Sequence, residues 1–323
     1  MARLASEFVL AMFFDRFTGF SAEDFAVFEE KKQQSNRFNL DRLKVKEKIE
    51  ALGRFLAKDL INGIPGIKWG VTDHVPSLFN RHKVDNLAVY FTRDEGQQRL
   101  VAPYIDSRVA LPEQIRDAGE YLRNLSLYIS INLTGIQVGL RCHSTAYVDV
   151  MNLVATLKKD ETRSAFYELI SQLDPKIYAS LGPQEEQTIS ELQPEQWEEI
   201  GENVTQSIFF ISLYQNFEAT APKLQNAGFK DDALRLLKPL RDIFIFWLWS
   251  ESNDHLGLVE QRRIQQQAMV KPEQLKIGAW VRIVSGLFSG RRGKVIDLEH
   301  KGMVRVKIGK LAVRLSFDEI KLK

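Results

Sequence analysis

Residues 276–295 read KIGAWVRIVSGLFSGRRGKV, and they decide the predicted fold of the C-terminal segment. Apolar and polar residues alternate over Ala279–Val284 and Arg292–Glu299, which is the period-2 pattern of short strands. Two further alternating runs follow, Met303–Ile308 and Leu311–Phe317. Glycines separate the runs and permit tight turns. Four or five short strands in a segment of this length predict a small, strongly bent β-barrel.

The alternation also predicts which side chains face outward from this barrel. In the third run Arg305 and Lys307 alternate with apolar residues, and in the fourth run Arg314 does so. Because successive side chains of a strand point to opposite faces, these cations are expected on the surface. The residues expected to face the core are Val304, Val306, Ile308, Leu311, Val313 and Leu315.

Charge is distributed unevenly between this segment and the rest of the chain. The chain has 323 residues and a formal net charge of only +2. Residues 273–323 hold 12 basic and 5 acidic residues, a net charge of +7, which leaves −5 for the remainder. A basic end on a mildly acidic chain indicates an anionic partner for that end, most often a nucleic acid.

The quoted stretch resembles a KOW motif. The order is a glycine at 278, Val281-Arg282-Ile283, and then the pattern G-x-F-x-G-x-x-G-x-V over 286–295. With its continuation over Arg305–Leu315, the segment resembles the C-terminal domain of the transcription factor NusG and, more loosely, the KOW-bearing ribosomal proteins. The resemblance covers about 48 residues. It implies an SH3-like barrel that contacts RNA, the ribosome or RNA polymerase, and hence a role in transcription or translation.

The sequence departs from this family at Arg291, where the family has an aromatic residue. In NusG that aromatic helps to contact a ribosomal protein or the termination factor Rho. A cation there favours phosphate contact, because each cation near a phosphate releases counterions; the alternative is a loop whose charges are merely solvated. The predicted nucleic-acid-binding residues are Arg291, Arg292, Lys294, Arg305, Lys307, Lys310 and Arg314. The predicted turn and anchor residues are Gly286, Phe288, Gly290 and Gly293.

The preceding residues predict a mixed α+β body over 1–252, joined by a polar linker over 253–272 to the barrel over 273–323. Ser21, with an acid three residues on, predicts a helix N-cap. The predicted helices cover 39–60, 147–173, 194–217 and 230–252, the last with Pro239 inside it, and the predicted strands cover 87–92, 127–133 and 137–141.

The order of elements in the body is similar to that of YktB-like uncharacterised bacterial proteins. The shared features are a start rich in phenylalanine (Phe20, Phe25, Phe28), a long helix, then His74 and Asn80, a strand at 85–92, and paired strands with a helix behind them. This resemblance implies no activity.

A metal or catalytic site in the body has four candidate residues, His74, His82, Cys142 and His143. His74 and His82 are eight residues apart, which is not the i, i+4 spacing of a metal-binding helix, and adjacent strand residues point to opposite faces. The chain also lacks the common nucleotide-binding and hydrolase motifs. We therefore expect no catalytic residue, metal or cofactor.

These observations favour a cytoplasmic bacterial adaptor or regulatory protein. Its KOW barrel is expected to contact RNA, the ribosome or RNA polymerase through 273–323, while the protein partner of the body is unknown. The longest apolar run has seven residues, Ile243–Trp249, so no contact with a membrane is expected. One alternative is a metal-dependent or hydrolytic enzyme in the body that the barrel delivers to nucleic acid. Another is a barrel that serves only intramolecular packing or oligomerisation.

Overall fold

The computed structural model describes residues 17–80, 82–102, 124–182, 186–201, 203, 209–261, 275–284, 288–299 and 302–322. The chain divides into two compact units, Met1–His255 and Leu256–Lys323. The first unit combines helices with an antiparallel sheet, and the second contains a separate antiparallel sheet. The mixed α+β class is therefore confirmed.

The first unit contains seven strands in the described part of the chain, and eight of its α-helices have both ends described. The helices are α1 Ala22–Ala26, α2 Glu30–Gln33, α3 Asn39–Leu60, α4 Glu95–Val101, α5 Tyr147–Leu157, α6 Asp160–Ser171, α7 Pro194–Glu198 and α8 Phe229–Trp247. The strands are β1 Ile67–Val71, β2 Asn86–Arg93, β3 Ser126–Asn132, β4 Gly135–His143, β5 Tyr178–Ser180, β6 Gln187–Thr188 and β7 Phe210–Glu218. Among the described residues, no helix has the length and apolar character needed to cross a membrane.

The seven strands form one antiparallel sheet in the order β1-β2-β3-β4-β7-β5-β6. The predicted helix over 39–60 is confirmed as α3, whose buried stripe follows the helical spacing, at Val45, Ile49, Leu52, Leu56 and Leu60. These side chains belong to one core cluster with the inward-facing residues of β2, β3, β4 and β7 and with α8. The main core therefore lies between the helices and one face of the sheet.

Ser21 is the N-cap of α1, as predicted from the sequence. Its backbone N–H and its hydroxyl both donate to Asp24 Oδ2, at 2.6 and 3.1 Å. Lys48 of α3 contacts the same carboxylate oxygen, with Nζ at 2.5 Å. Asp24 thus joins the start of α1 to the long helix.

The prediction of a helix over 194–217 is correct in its N-terminal part and wrong from Phe210 onwards. The helix α7 ends at Glu198, and residues 200, 201 and 203 are again helical, whereas residues 204–208 lie outside the described residues. Phe210–Glu218 is the strand β7, which pairs with β4 and β5. In the sequence, apolar residues at 200, 204, 208 and 211 recur at helical spacing, and the prediction extended this helix to Phe217. Ile211 and Phe217 are six residues apart, which places them on one face of a strand but about 120° apart around a helix. The segment is hydrogen-bonded to a neighbouring strand along each edge.

A buried ion pair joins the strand β2 to the helix α5. The guanidinium of Arg93 donates two hydrogen bonds to the carboxylate of Asp149, and a third to the backbone carbonyl of Trp249 at 2.8 Å. Asp149 also accepts the backbone N–H groups of Leu125 and Trp249, at 3.2 and 3.0 Å. Each side chain of the pair is 1% exposed. Both charges are therefore compensated inside the core.

The first unit extends into the segment predicted as a linker. The side-chain amide of Asn253 donates to the carbonyl oxygens of Phe246 and Leu248, and the backbone N–H of His255 donates to Asn152 Oδ1 at 3.0 Å. The helix predicted over 230–252 begins at 229, includes Pro239 and ends at 247. It ends early because Leu248 adopts an extended conformation. Residues 262–274, the greater part of the predicted linker, lie outside the described residues.

The second unit contains β8 Trp280–Ile283, β9 Arg292–Glu299, β10 Met303–Ile308, β11 Leu311–Ser316 and β12 Ile320–Leu322. Their order in the sheet is β11-β10-β9-β8-β12. The two edge strands are consecutive in the chain, and only residues 317–319 separate them. A flat sheet would hold its edges about 19 Å apart, whereas this connection spans at most about 14 Å. The sheet must therefore curl, although no β11–β12 ladder closes it into a barrel within the described residues.

Candidate nucleic-acid interface

The second unit separates its apolar residues from its cations by strand alternation. In β8, Val281 and Ile283 are buried whereas Arg282 is exposed. In β10 the three apolar residues at 304, 306 and 308 are buried while Arg305 and Lys307 are exposed, as predicted. Leu311 lies opposite the buried Ile308 and so shares the inner face, as predicted, but it is 60% exposed because it begins an edge strand. We call the solvent side of this sheet the outer face.

The strand register brings the cations of the outer face together. Arg282 lies opposite Arg292 on one side and Lys321 on the other. Lys294 lies opposite Lys307, and Trp280 lies opposite Lys294 on the far side. Directly opposed residues of antiparallel strands share a face, with Cβ atoms about 4.5–5.5 Å apart. We call Arg282, Arg292, Lys294 and Lys307 the cationic face.

The cations at the other end of the sheet are neutralised. Arg305 lies opposite Arg314, but Glu299 accepts from both guanidinium groups, at 3.1 and 2.6 Å. Within the described residues, no carboxylate forms such an ion pair with a member of the cationic face. The sheet therefore has one compensated end and one end that retains its positive charge.

Three pairs of like charges stand directly opposite each other, and among the described residues no carboxylate forms an ion pair with any member of these pairs. They are Arg282 with Arg292, Lys294 with Lys307, and Lys321 with Arg282. Like charges in this position destabilise a sheet, whereas a pair of opposite charges would stabilise it by about 0.2–1 kcal/mol. Packing within the unit does not require these residues to be cations, because all of them point away from its core. The three pairs therefore leave an excess of positive charge on the outer face of the sheet.

The structure distributes the seven predicted nucleic-acid-binding residues over three environments. Arg292, Lys294 and Lys307 belong to the cationic face, and Arg305 and Arg314 are paired with Glu299. Arg291 and Lys310 are exposed in the turns before β9 and after β10, outside the cross-strand register. Sequence reasoning missed three outer-face residues, namely Trp280, Arg282 and Lys321. The alternation of Arg282 with Val281 and Ile283 was the available signal.

The predicted turn and anchor residues have different roles. Phe288 is half-buried and packs against the core of the unit, and Gly290 follows it in a turn with φ +83°. Gly293 is a strand residue of β9 and not a turn residue, which corrects the prediction. A Cβ added to Gly293 would lie 2.3 Å from Val306 Cγ1, so the close approach of β9 and β10 requires glycine there. Gly286 lies outside the described residues.

The four candidates for a metal or catalytic site in the first unit are not brought together. Cys142 is fully buried, and burial, with a contribution from Asp149, raises the pKa of its thiol well above the usual range. The ring of His143 contacts Thr145 Oγ1 through Nδ1 and packs edge-on against Phe210. His74 and His82 lie in the segment between β1 and β2. No group of three or more potential metal ligands is found among the described residues.

The face of the large sheet opposite the helices carries a row of tyrosines. Tyr90 of β2 lies opposite Tyr128 of β3, and Gly139 of β4 separates Tyr128 from Tyr214 of β7. The three rings form a buried cluster, and the Tyr128 hydroxyl donates to Gln137 Oε1 at 2.5 Å. Burial raises the pKa of Tyr128 and of Tyr214. These tyrosines are packing residues of the first unit.

No family model matches the chain, and no curated protein matches it.

Proposed function

We propose that the chain is an RNA-binding adaptor or regulatory protein whose second unit binds RNA through the cationic face. The observation that carries the proposal is the set of like-charge pairs that directly face each other on this sheet. RNA phosphates supply the missing countercharge, and their binding releases condensed counterions. Four phosphate contacts would give a slope of log K against log salt of about −2.8 on a single strand.

We further propose that the second unit is a KOW domain with an SH3-like barrel related to that of NusG. The curled five-stranded sheet, in which the last strand returns to pair with the first, supports this proposal. So does the resemblance of residues 276–295 to the motif. The RNA would then belong to the ribosome or to a transcription complex in the bacterial cytoplasm, and the first unit would contact a protein partner there.

The test compares two variants of the full chain that each lose two positive charges. In the first, Arg292→Gln and Lys307→Gln remove two members of the cationic face. In the second, Arg305→Gln and Arg314→Gln remove two cations that Glu299 already compensates. We expect the first variant to flatten the salt slope for RNA by about 1.4, at about 0.7 per contact.

The second variant is a stringent control for the loss of positive charge, because it also leaves the carboxylate of Glu299 without its two arginine partners. We expect its salt slope to stay within about 0.7 of the parent slope. If the parent chain does not bind RNA, or if both variants lose affinity and slope equally, the cationic face is not the RNA site. Binding of an acidic protein in place of RNA would assign the face to a protein partner.

A further inference from the structure

Trp280 is an exposed aromatic residue on the outer face. It begins β8, its side chain is 56% exposed, and the apolar core of the second unit does not include it. The other four tryptophans lie in the first unit, where three are fully buried and Trp69 is partly buried. Packing therefore does not explain why this position has a large indole.

The surroundings of Trp280 are cationic. Lys294 lies directly opposite on β9, Lys307 is the next residue across on β10, and Arg282 is two positions along β8 on the same face. Neighbouring strands are about 4.8 Å apart, and residues two positions apart on a strand are about 6.6–6.8 Å apart. Three cations thus lie within about 10 Å of the Trp280 backbone, where the phosphates of a nucleotide bound over the ring would be close to them.

We propose that Trp280 is a platform for base stacking, and that the RNA bound by the cationic face is single-stranded. This inference rests on the proposed function and names its substrate class. In a duplex the faces of the bases are covered by their neighbours, whereas an unpaired base can stack on an aromatic side chain. Such stacking tolerates any sequence, because every base has a π-face. The cations track the backbone while the indole selects unpaired nucleotides.

The first experiment compares three anionic probes with the full chain. They are a short single-stranded oligoadenylate, an RNA duplex of equal length, and inorganic polyphosphate, which has phosphates but no bases. We expect the oligoadenylate to bind most tightly and to quench the fluorescence of the exposed Trp280. Equal affinity for all three probes would overturn the stacking inference and leave the phosphate contacts of the proposed function in place. No binding of any probe would overturn both.

The second experiment replaces the ring. Stacking is worth about 1–3 kcal/mol per base, so Trp280→Leu should weaken oligoadenylate binding about 5- to 150-fold. Its salt slope should not change, because no cation has been removed. Trp280→Phe keeps an aromatic face and should restore most of the affinity. If Trp280→Leu binds as tightly as the parent, or loses affinity equally for oligoadenylate and polyphosphate, the ring does not stack on bases.

Discussion

If the cationic face opposes its own folding, reversing one charge should stabilise the second unit and weaken its RNA binding. Lys307 and Lys294 stand opposite each other on β10 and β9. The substitution Lys307→Glu removes a repulsion and creates an attractive pair, and each change is worth about 0.2–1 kcal/mol. Lysine and glutamate are both disfavoured in strands, so strand propensity contributes little. The expected gain in unfolding free energy is therefore about 0.5–2 kcal/mol.

Native-state hydrogen exchange of the β10 amides, Met303–Ile308, measures this gain without requiring the two units to unfold together. Exchange in Lys307→Glu should slow about 2- to 30-fold relative to the parent chain. The matched control is Lys310→Glu, which changes the net charge equally but lies in the turn after β10, outside the cross-strand register. High salt should reduce the difference between the two variants, because it screens exposed charges.

RNA binding should change in the opposite direction. Lys307→Glu should flatten the slope of log K against log salt by about 0.7 or more, since one phosphate contact is replaced by a repulsion. Exchange of β10 that is no slower in Lys307→Glu than in Lys310→Glu would contradict the repulsion between Lys307 and Lys294. A stabilised variant that retains the RNA affinity of the parent would contradict the role of Lys307 in RNA binding.

Two further predictions concern the first unit. Asp149→Ala leaves the buried guanidinium of Arg93 without its carboxylate and should lower the unfolding free energy by about 3–5 kcal/mol, measured by urea denaturation. Asp160→Ala breaks an exposed ion pair and should lower it by less than about 1 kcal/mol. Similar losses in the two variants would contradict the stabilising role of the buried pair. The unfolding free energy should also fall as the pH rises through about 10. Burial raises the pKa of Tyr128 and of Tyr214 above that of an unfolded tyrosine. In this pH range the unfolded chain therefore releases protons that the folded chain retains. A urea midpoint that stays constant between about pH 8 and pH 11 would contradict this sign.

The elements that the sequence predicted well are those whose local pattern has one interpretation. The helix α3 repeats apolar residues over six turns, and β10 alternates without interruption, so their bounds match the predicted ones. The bounds of β9 also match, although Val295 and Ile296 interrupt its alternation. The strand β7 was missed because apolar residues at 200, 204, 208 and 211 recur at helical spacing in the sequence, and the prediction continued that helix to Phe217. Pairing with β4, which is far away in the chain, establishes the segment as a strand.

The sequence predicted which cations lie on the surface of the second unit, but not which of them lie opposite each other or form ion pairs. Alternation alone assigns Lys307 and Arg314 equally to the surface, and nothing local to either residue indicates which one is compensated. Glu299 neutralises Arg314 because the register of β9, β10 and β11 brings the three strands together, with an irregularity between Arg305 and Val306. Cross-strand register is set by the hydrophobic patterns of the paired strands and by the geometry of the turns that join them. The difference between a compensated cation and an uncompensated one is therefore a property of the folded sheet.

Because the second unit has a small core, repulsion between the cations on its surface is significant for its stability. Among its described residues, nine buried apolar side chains form that core, so the unit has little stability to spare for repulsion on its surface. A ligand that binds only the folded state stabilises it by about 2.7 kcal/mol when present at a hundred times its dissociation constant. Three like-charge pairs, at the magnitudes of cross-strand pairs, cost about 0.6–3 kcal/mol together. The two magnitudes are comparable, so a bound polyanion can offset the repulsion that the unbound sheet carries. Solubility alone would not require cations directly opposite each other, because a mixture of positive and negative charges keeps a protein soluble and also stabilises the sheet.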